Sequence, residues 1–512
     1  MVAYVLPGTV GYLGPVENLT PYSPPGSGLP GEGDTPPDCT WESYGLRCDD
    51  DSLTLDLVYI YGGIYFTGTD ITITNSIVLA GTGEEFAAVR VTAGIGPITA
   101  TDSTFGWLDG TMPEAVTDVA PITDGGTVTE GYLITRCDLS GSPQGLQPSA
   151  NSQVIDCWIH DIVQNNPDGP NHLDGIFSGG GSDGTISGCY IDAPVVDTTA
   201  AVFFQDTDPP EGGDTTWSVE DCYLSGGAYT LYNETLIGLS VTNCVFGDFE
   251  YGNAINVADD GGTITLWTGN TDTDGAVVPN PAEVVTVTQA GSDASGICLA
   301  TVVLTGAAAT QPGQTAGETQ DIPSLAITPQ ASGSLVYGAV LALADAFTAL
   351  DSTTFLQNDA GQGLQYGAFV SADTTIGGTS VTVGSQPTGA DAIAIAVAEI
   401  LASGTLQQDA STPDPVQSGT TSAATAQFAP PAPCVILAIV TSNGGDGQTP
   451  VEVTDNSDLT WTELDGAQDG AGNGYAGIWL AQIGGGIPVV TAAVGGTAAM
   501  IAALRAAKVI AS

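Results

Sequence analysis

The chain has 512 residues, which is enough for three or four domains that each bury a core. Five Lys and Arg residues stand against 58 Asp and Glu residues, so the formal net charge is −53. A surface this acidic repels the phosphates of nucleic acids and of anionic membranes, and we expect neither as a partner. No cofactor is expected, although Ca²⁺ is the ion that such carboxylates would gather.

Residues 1–38 are rich in Pro and Gly and show no hydrophobic periodicity, so this segment cannot form a core of its own. Two interpretations stay open: a disordered tail or linker, and an extended attachment arm that becomes ordered on docking into a larger assembly. Residues 1–7 lack the features of a signal peptide, and no stretch is long and apolar enough to span a membrane. Incorporation into a virion would carry such a protein outside a cell.

Two strands are predicted over residues 53–60 and 63–66, where apolar and β-branched side chains alternate. They begin or cap a larger β-domain. Cys39 and Cys48 come shortly before these strands, and the sequence leaves open whether the two thiols form a disulfide.

A short phrase then recurs: an aliphatic residue, two variable residues, Cys or Ser, one variable residue and an apolar residue. We call the Cys or Ser of each copy its anchor, and the anchors are Ser76, Ser103, Cys137, Cys157, Cys189, Cys222 and Cys244. Their irregular spacing argues against a helical solenoid and suits the turns, or rungs, of a coil whose loops vary in length. The anchor and the apolar residue two places later share one strand face, because strand side chains alternate.

The aliphatic residue lies three places before the anchor, so a sharp bend must separate the two if both point inward. The bend residues are Asn75, Asp102, Arg136, Asp156, Gly188, Asp221 and Asn243, and all except Arg136 are types that tolerate a left-handed backbone. The pattern predicts a right-handed parallel β-helix over residues 39–275. Its anchors are expected to stack inside as small, reduced side chains.

A second periodicity follows a predicted linker at residues 276–293. Apolar phrases of residues 294–400 return in the same order in residues 401–512, roughly 105 residues later. Short strands separated by Gly, Asp and Asn turns predict two tandem jelly-roll-like β-sandwich domains. Ala-rich runs at 392–400 and 498–510 leave helices as the competing interpretation. The expected fold class of the chain is all-β.

The rungs, together with the segments 171–176, 201–204 and 219–232, resemble pectate-lyase-like β-helix proteins, a superfamily common in actinobacteria and their phages. Tyr-Ala-Gly-Ile-Trp at 475–479 and Leu-Thr-Trp at 459–461 resemble the small sandwich domains at the ends of actinophage minor tail proteins. The resemblance implies a virion protein of the minor tail protein or tail spike type. It does not decide the activity, because the superfamily includes lyases, hydrolases, epimerases and binding proteins.

Both histidines of the chain lie in the segment that follows Cys157. Carboxylates on neighbouring rungs could act as acid and base on a glycosidic bond, and the candidate catalytic residues are His160, Asp161, His172, Asp174 and Asp206. Against catalysis, the Gly-His-Gly and Arg-x-Lys phrases of polygalacturonases are missing from the sequence. Two His and several Asp could bind a metal ion, but the spacing of the two histidines matches no recognised metal motif, so the sequence leaves a dedicated metal site open.

An aromatic residue directly follows three successive anchors: Trp158, Tyr190 and Tyr223. These side chains should point outward and form a stripe on one sheet. The stripe is either a glycan-binding surface or a packing surface against another subunit. We expect oligomers, and by analogy with other β-helix tail proteins a homotrimer.

Two functions from different classes are therefore carried forward. The first is a structural virion protein that attaches to other virion proteins through its arm and binds a host-surface glycan or receptor. The second is a polysaccharide depolymerase, a hydrolase or lyase, with its site around residues 160–174. The arm, the rod, the paired sandwiches and the missing catalytic phrases favour the first.

Overall fold

The protein is represented by a computed structural model that describes residues 4–43, 45–80, 88–91, 98–107, 122–124, 131–148, 151–163, 173–178, 183–205, 216–234, 238–256, 263–289, 296–308, 311–318, 323–343, 347–361, 364–385, 391–443, 451–468 and 474–484. The chain divides into two compact units, Met1–Ala282 and Glu283–Ser512. The predicted all-β class is confirmed. Among the described residues, no helix has both the length and the apolar character needed to cross a membrane.

The first unit starts with a 3-10 turn at Val16–Asn18 and continues with strands. These are β1 (Thr20–Tyr22), β2 (Cys39–Glu42), β3 (Gly45–Cys48), β4 (Thr54–Asp56), β5 (Val58–Tyr61), β6 (Ile64–Phe66), β7 (Ile71–Thr74), β8 (Ile77–Ala80), β9 (Val89–Val91), β10 (Ile98–Thr101), β11 (Thr104–Trp107), β12 (Ile122–Asp124), β13 (Leu133–Thr135), β14 (Asp138–Ser140), β15 (Gln144–Leu146), β16 (Gln153–Ile155), β17 (Trp158–His160), β18 (Asp174–Ser178), β19 (Gly184–Ser187), β20 (Tyr190–Asp192), β21 (Ala200–Gln205), β22 (Thr216–Glu220), β23 (Tyr223–Ser225), β24 (Tyr229–Glu234), β25 (Gly238–Thr242), β26 (Val245–Phe246), β27 (Gly252–Asn256), β28 (Thr263–Thr268) and β29 (Thr271–Asp272).

These strands stack into four sheets that form a parallel β-helix. Sheet 1 contains β1, β5, β8, β11, β14, β17, β20, β23, β26 and β29, and sheet 2 contains β4, β7, β10, β13, β16, β19, β22, β25 and β28. Sheet 3 contains β2, β3, β6, β9 and β12, and sheet 4 contains β15, β18, β21, β24 and β27. Neighbouring strands come from successive rungs and run parallel, except for the antiparallel pair of β2 and β3. The parallel β-helix predicted from the repeated phrase is confirmed.

The bend between sheet 2 and sheet 1 has the backbone that the sequence predicts. All the bend residues of the repeated phrase have positive φ angles, from 48° at Asn75 to 65° at Gly188. Even Arg136, the least suitable residue type, has a φ of 50°. The inward residues on either side of the bend are fully buried in each copy, as Ile134 and Leu139 illustrate. A left-handed residue therefore lets both flanking strands face one core.

The anchors have a hydrogen-bonding role as well as a packing role. The side chain of each of several anchors accepts the backbone N–H of the preceding rung's anchor position: Ser76 from Val58 at 3.1 Å, Ser103 from Ser76 at 3.1 Å, and Cys189 from Cys157 at 3.4 Å. Asn270 continues the column, because its Oδ1 accepts the N–H of Cys244 at 2.9 Å. The repeated residue is therefore small and also an acceptor, which satisfies an amide that the bend removes from the sheet.

The N-terminal segment lies on the β-helix of its own chain. β1 is the first strand of sheet 1 and pairs with β5, while Val10 and Leu19 are buried. Cys39 and Cys48, whose pairing the sequence left open, form a disulfide across β2 and β3. The described part of residues 1–38 is thus an ordered extension of the first unit, and its role as an attachment arm stays a prediction.

The second unit contains β30 (Val285–Gln289), β31 (Gly296–Ala307), β32 (Thr315–Glu318), β33 (Ser324–Ile327), β34 (Leu335–Leu343), β35 (Thr353–Gly361), β36 (Leu364–Ser371), β37 (Val381–Gly384), β38 (Asp391–Ile400), β39 (Ala402–Gln408), β40 (Val416–Ser418), β41 (Ser422–Ala424), β42 (Cys434–Asn443), β43 (Val451–Asp455), β44 (Thr462–Gln468) and β45 (Tyr475–Ile483). Its pairs are antiparallel. β38 covers the first Ala-rich run, so the helical alternative is wrong there. The second run, 498–510, lies outside the described residues.

Four antiparallel sheets are layered in this unit. Sheet 5 contains β41, β30 and β43; sheet 6 contains β39, β40, β31, β42, β45 and β44; sheet 7 contains β32, β38, β34, β36 and β35; sheet 8 contains β33 and β37. Apolar residues fill the spaces between sheets 5 and 6, between sheets 6 and 7, and between sheets 7 and 8. The alternating residues of β42 show the result, since Ile436 faces one core and Leu437 faces the next. Sheets 6 and 7 are therefore buried on both faces.

Strand pairing crosses the predicted boundary between the two repeats. β38 lies between β32 and β34 in sheet 7, and β31 has the same place between β40 and β42 in sheet 6. Likewise β37 pairs with β33, and β30 pairs with β41. β30 lies in the predicted linker and β31 in the predicted first repeat, yet both complete the second. β31 takes the place in sheet 6 that β38 takes in sheet 7, and β30 corresponds to β37 in the same way. The apolar residues of β30 and β31 fit these positions although both strands precede β32 in the chain.

Candidate functional site

Two rows of side chains cover the outer face of sheet 1. Strand register aligns Asp138 with Trp158, Tyr190 and Tyr223 on successive rungs. The second row lies two residues further along each strand. It contains Ser140, His160, Asp192 and Ser225. Because alternate strand residues share a face, both rows point away from the buried residues between them.

His160 lies between two carboxylates. Its Nε2 is 2.9 Å from Oδ1 of Asp138, and its Nδ1 is 2.9 Å from Oδ2 of Asp161. The Trp158 ring stacks on the imidazole with a centroid separation of 3.5 Å. Burial alone would lower the pKa of His160, but the hydrogen bonds and charges of Asp138 and Asp161 outweigh burial and raise it. The geometry favours an imidazolium held in place by two acidic partners.

Asp192 is a site residue that the sequence did not single out. Burial raises the pKa of its carboxyl, with further contributions from Asp161 and Asp248, and His160 acts in the opposite direction. Such a group holds a proton more readily than an ordinary surface aspartate does. Its position was readable in principle, because Asp192 and His160 both lie three residues after their anchors.

The predicted outward direction of the aromatic stripe is confirmed. Tyr190 and Tyr223 stack with ring centroids 4.3 Å apart and an interplanar angle of 18°. Tyr4 of the N-terminal segment lies against both rings. Burial, with smaller contributions from neighbouring groups, raises the pKa of Tyr190 to about 12. The stripe is thus partly covered within the chain.

The remaining predicted catalytic residues do not join His160 and Asp161 in the described structure. Asp174 is fully buried on β18 in sheet 4, where its Oδ1 accepts the N–H of Ala200 at 3.1 Å. It pairs across the sheet with buried Gln144, an environment typical of a structural carboxylate. His172 and Asp206 lie outside the described residues, and their roles stay predictions.

A metal centre has no support in the part of the chain that the structure describes, where no group of three or more His, Cys, Asp or Glu side chains is arranged to hold an ion. The expectation that Ca²⁺ associates with the acidic surface stays a prediction. What the outer face of sheet 1 can do is stack planar apolar rings and exchange hydrogen bonds with hydroxyl groups beside them.

None of the family models and none of the curated proteins compared with the chain matches it. Among solved structures, the chain is similar to the enzymatically active domain of tailspike protein 4 of bacteriophage CBA120. The match has 11% identity, covers 74% of this chain and 55% of that one, and has a TM-score of 0.29. The chain therefore spans about half the length of that domain. A likeness at this level says nothing about activity, so function is argued from the residues of sheet 1.

Proposed function

We propose that this protein is a virion protein of the tail spike or minor tail protein type that binds a host-surface glycan along the outer face of sheet 1. The observation that carries the proposal is the alignment of Trp158, Tyr190 and Tyr223 on successive rungs, beside the row that contains His160 and Asp192. Sugar rings stack on aromatic faces, and their hydroxyls hydrogen-bond to carboxylates and imidazoles. A row of polar side chains beside a row of aromatic rings suits that ligand.

The repeat of the rungs favours a polymeric ligand. Successive strands of a sheet are about 4.8 Å apart, so the aromatic rings recur along an extended line. A ligand with repeating rings can contact several rungs together, and the contacts add because they share one binding event. This argues for a polysaccharide in preference to a single sugar.

Attachment to the particle and trimer formation belong to the same proposal. Leu6, Leu13 and Val16 expose 62%, 66% and 50% of their surfaces within a short N-terminal segment. Such apolar side chains suit contact with another virion protein, as the attachment arm requires. We further propose that the protein acts as a homotrimer on the virion surface and works outside the cell.

Replacing the central aromatic residue tests glycan binding. Trp158→Ala should weaken retention of host cell-surface polysaccharide about tenfold, because one stacking contact is lost. The matched control is Tyr61→Ala, which removes a half-buried ring from the outer face of the same sheet, far from His160 along the chain. Co-sedimentation of the full chain with the polysaccharide measures both. Equal retention by the two variants would contradict the assignment.

The second candidate is a depolymerase, which the raised pKa of Asp192 beside His160 favours. A carboxyl whose pKa is raised is better suited than an ordinary aspartate to protonate a glycosidic oxygen. In that case the wild-type chain shortens the polysaccharide, as chromatography of the products would show, and Asp192→Asn abolishes shortening but keeps binding. Asp161→Ala and Asp174→Ala test the carboxylates that the sequence proposed. Intact polymer that still co-sediments would leave binding alone.

A further inference from the structure

The outer face of sheet 1 already has an occupant, the N-terminal segment of the same chain. We call residues 4–12 the strap. The Tyr4 ring lies 5.9 Å from the Tyr190 ring and 5.5 Å from the Tyr223 ring, measured between centroids. The next residue, Val5, donates its N–H to the carbonyl oxygen of Gly188 at 2.9 Å. One end of the strap is thus fixed on the aromatic stripe itself.

The other end of the strap is fixed two rungs earlier. Gly11 donates its N–H to the carbonyl oxygen of Arg136 at 2.9 Å, and Tyr12 donates to Oγ1 of Thr104 at 3.1 Å. Gly11 has a φ of 83°, and a Cβ there would lie 2.7 Å from Cβ of Asp138 and from Oγ1 of Thr104. The strap therefore lies so close to the sheet that it admits only glycine at this point.

Between the two ends of the strap, Val10 is buried and the four residues before it are not. Residues 6–9 are exposed and form a turn in which the Thr9 hydroxyl donates to the Leu6 carbonyl at 2.6 Å. The rung of Trp158 lies between the rungs of Arg136 and Gly188, so this turn passes the centre of the stripe. Each hydrogen bond adds little net stability, and ordering each strap residue costs entropy. A ligand with comparable contacts can displace such a segment.

We propose that the strap and the glycan compete for one site, which makes the strap an autoinhibitory cover of the aromatic stripe. This inference rests on the proposed glycan-binding function. The Tyr4 ring lies against both stripe rings, T-shaped to Tyr190 and tilted to Tyr223, where a sugar would contact them, and Val5 is bound at the neighbouring bend. Because the strap is tethered, it competes at a high effective concentration, and a free glycan meets the stripe only when the strap is displaced.

The structure offers a matched pair of variants in the full chain. Gly11→Val places a side chain against Asp138 and Thr104 and should dislodge the strap, and Tyr4→Ala added to it removes the ring contact. The control is Gly8→Val in the same strap. Gly8 also has a positive φ, 72°, but a Cβ at this residue would meet nothing within 4 Å, so this control isolates backbone strain from the clash.

Two measurements distinguish displacement of the strap from binding of the glycan. Nitration of Tyr190 and Tyr223 by tetranitromethane, quantified on their peptides by mass spectrometry, reports whether the rings are covered and needs no glycan. We expect nitration to rise in the Tyr4→Ala/Gly11→Val variant and to stay at the wild-type level in Gly8→Val. Co-sedimentation with host polysaccharide should then show binding that is about tenfold tighter in the double variant.

Three other outcomes overturn the inference in different ways. Nitration that does not change in the double variant means that the strap does not cover the stripe. Increased nitration with unchanged polysaccharide binding means that strap and glycan do not compete. If neither the wild-type chain nor the open variant retains polysaccharide, the proposed glycan-binding function itself fails, whatever the nitration result.

Discussion

At the scale of single residues, the hydrogen bonds of the anchors explain why this position is Ser in some copies of the phrase and Cys in others. Both are small enough for the interior of a rung, and both accept the amide of the rung before them. Burial raises the pKa of the Cys137, Cys189 and Cys222 thiols, so they stay protonated and unreactive. The anchor position therefore requires a side chain that accepts a hydrogen bond as well as one that is small.

Two substitutions of Cys189 test whether the anchor must accept a hydrogen bond. Cys189→Ala removes the acceptor of the Cys157 N–H, and it should lower the free energy of unfolding by about 1–3 kcal/mol, because a buried donor is left unsatisfied. Cys189→Ser keeps an acceptor in place and should cost clearly less. Urea denaturation of the two variants measures the difference. Equal losses would mean that volume alone selects the anchor.

Glu283 makes the second unit sensitive to pH. Burial raises the pKa of its carboxyl to about 8 from an ordinary value of 4.5, and nearby Asp455 adds to the shift. The folded state therefore binds more protons than the unfolded state between these values, so stability falls as pH rises from about 4.5 to about 8. Glu283→Gln should reduce this fall, as urea midpoints at pH 5 and pH 8 would show.

A residual pH dependence is expected in that variant, because burial also raises the pKa of Asp455. The control is Glu452→Gln on β43, an exposed carboxylate of the same strand as Asp455. It should leave the pH dependence at the wild-type level. An equal effect of both substitutions would contradict the role of Glu283.

Some residues of the candidate site could be predicted from the sequence and others could not. The aromatic stripe was found because its residues follow an anchor at a fixed offset, whereas His160 and Asp161 were found because both histidines lie in the segment after Cys157. Asp192 was missed although it shares the offset of His160, since Asp is abundant and the neighbours that shift its pKa, His160, Asp161 and Asp248, come from distant parts of the sequence. The contact of Tyr4 with the stripe was also out of reach, because it joins segments separated by some 190 residues without a shared pattern.

At the scale of elements, the left-handed bends hold the strands of each rung in register. Asp221→Val should destabilise the protein by about 1–2 kcal/mol, because a β-branched residue at a φ of 55° crowds its own backbone. Asp221→Gly should be tolerated. Thermal unfolding measures both, and Glu220→Val in the adjacent extended strand is the control for loss of charge. A Glu220→Val effect as large as that of Asp221→Val would argue against the bend.

Element prediction succeeded where one local rule repeats. The bend residues and the inward residues were identified in all seven copies of the repeated phrase, because neighbouring rungs obey the same period. The repeated phrase does not extend to the rungs at Val58 and Asn270, since neither has Ser or Cys at the anchor position. β31 was assigned to the nearer repeat, because an apolar strand carries no mark of the sheet that it joins.

At the scale of the whole molecule, we expect the parts on either side of Ala282 to fold independently of each other. We do not expect this of the parts on either side of residue 400, where the sequence placed the boundary between the two repeats. A fragment of residues 401–512 lacks β30 and β31, which pair with β41 and β42, so it should not unfold cooperatively. Fragments of residues 1–282 and 283–512 should each do so. Calorimetry of the three fragments measures this. Cooperative unfolding of residues 401–512 would show that another segment can take the place of β31.

The early position of β31 in the chain has a consequence for synthesis. Its partner β42 begins about 130 residues later, so at 5–20 residues per second the ribosome delivers it roughly 6–25 s afterwards. Most side chains of β31 are buried in the native state. Both edges of this strand lack partners until β39 and β40 are made, and one edge stays unpaired until β42 follows. A nascent chain in this state is exposed to pairing with its neighbours on the same polysome. Slower translation after residue 307 would lengthen the exposure, and a chaperone that holds extended apolar segments would have its natural target here.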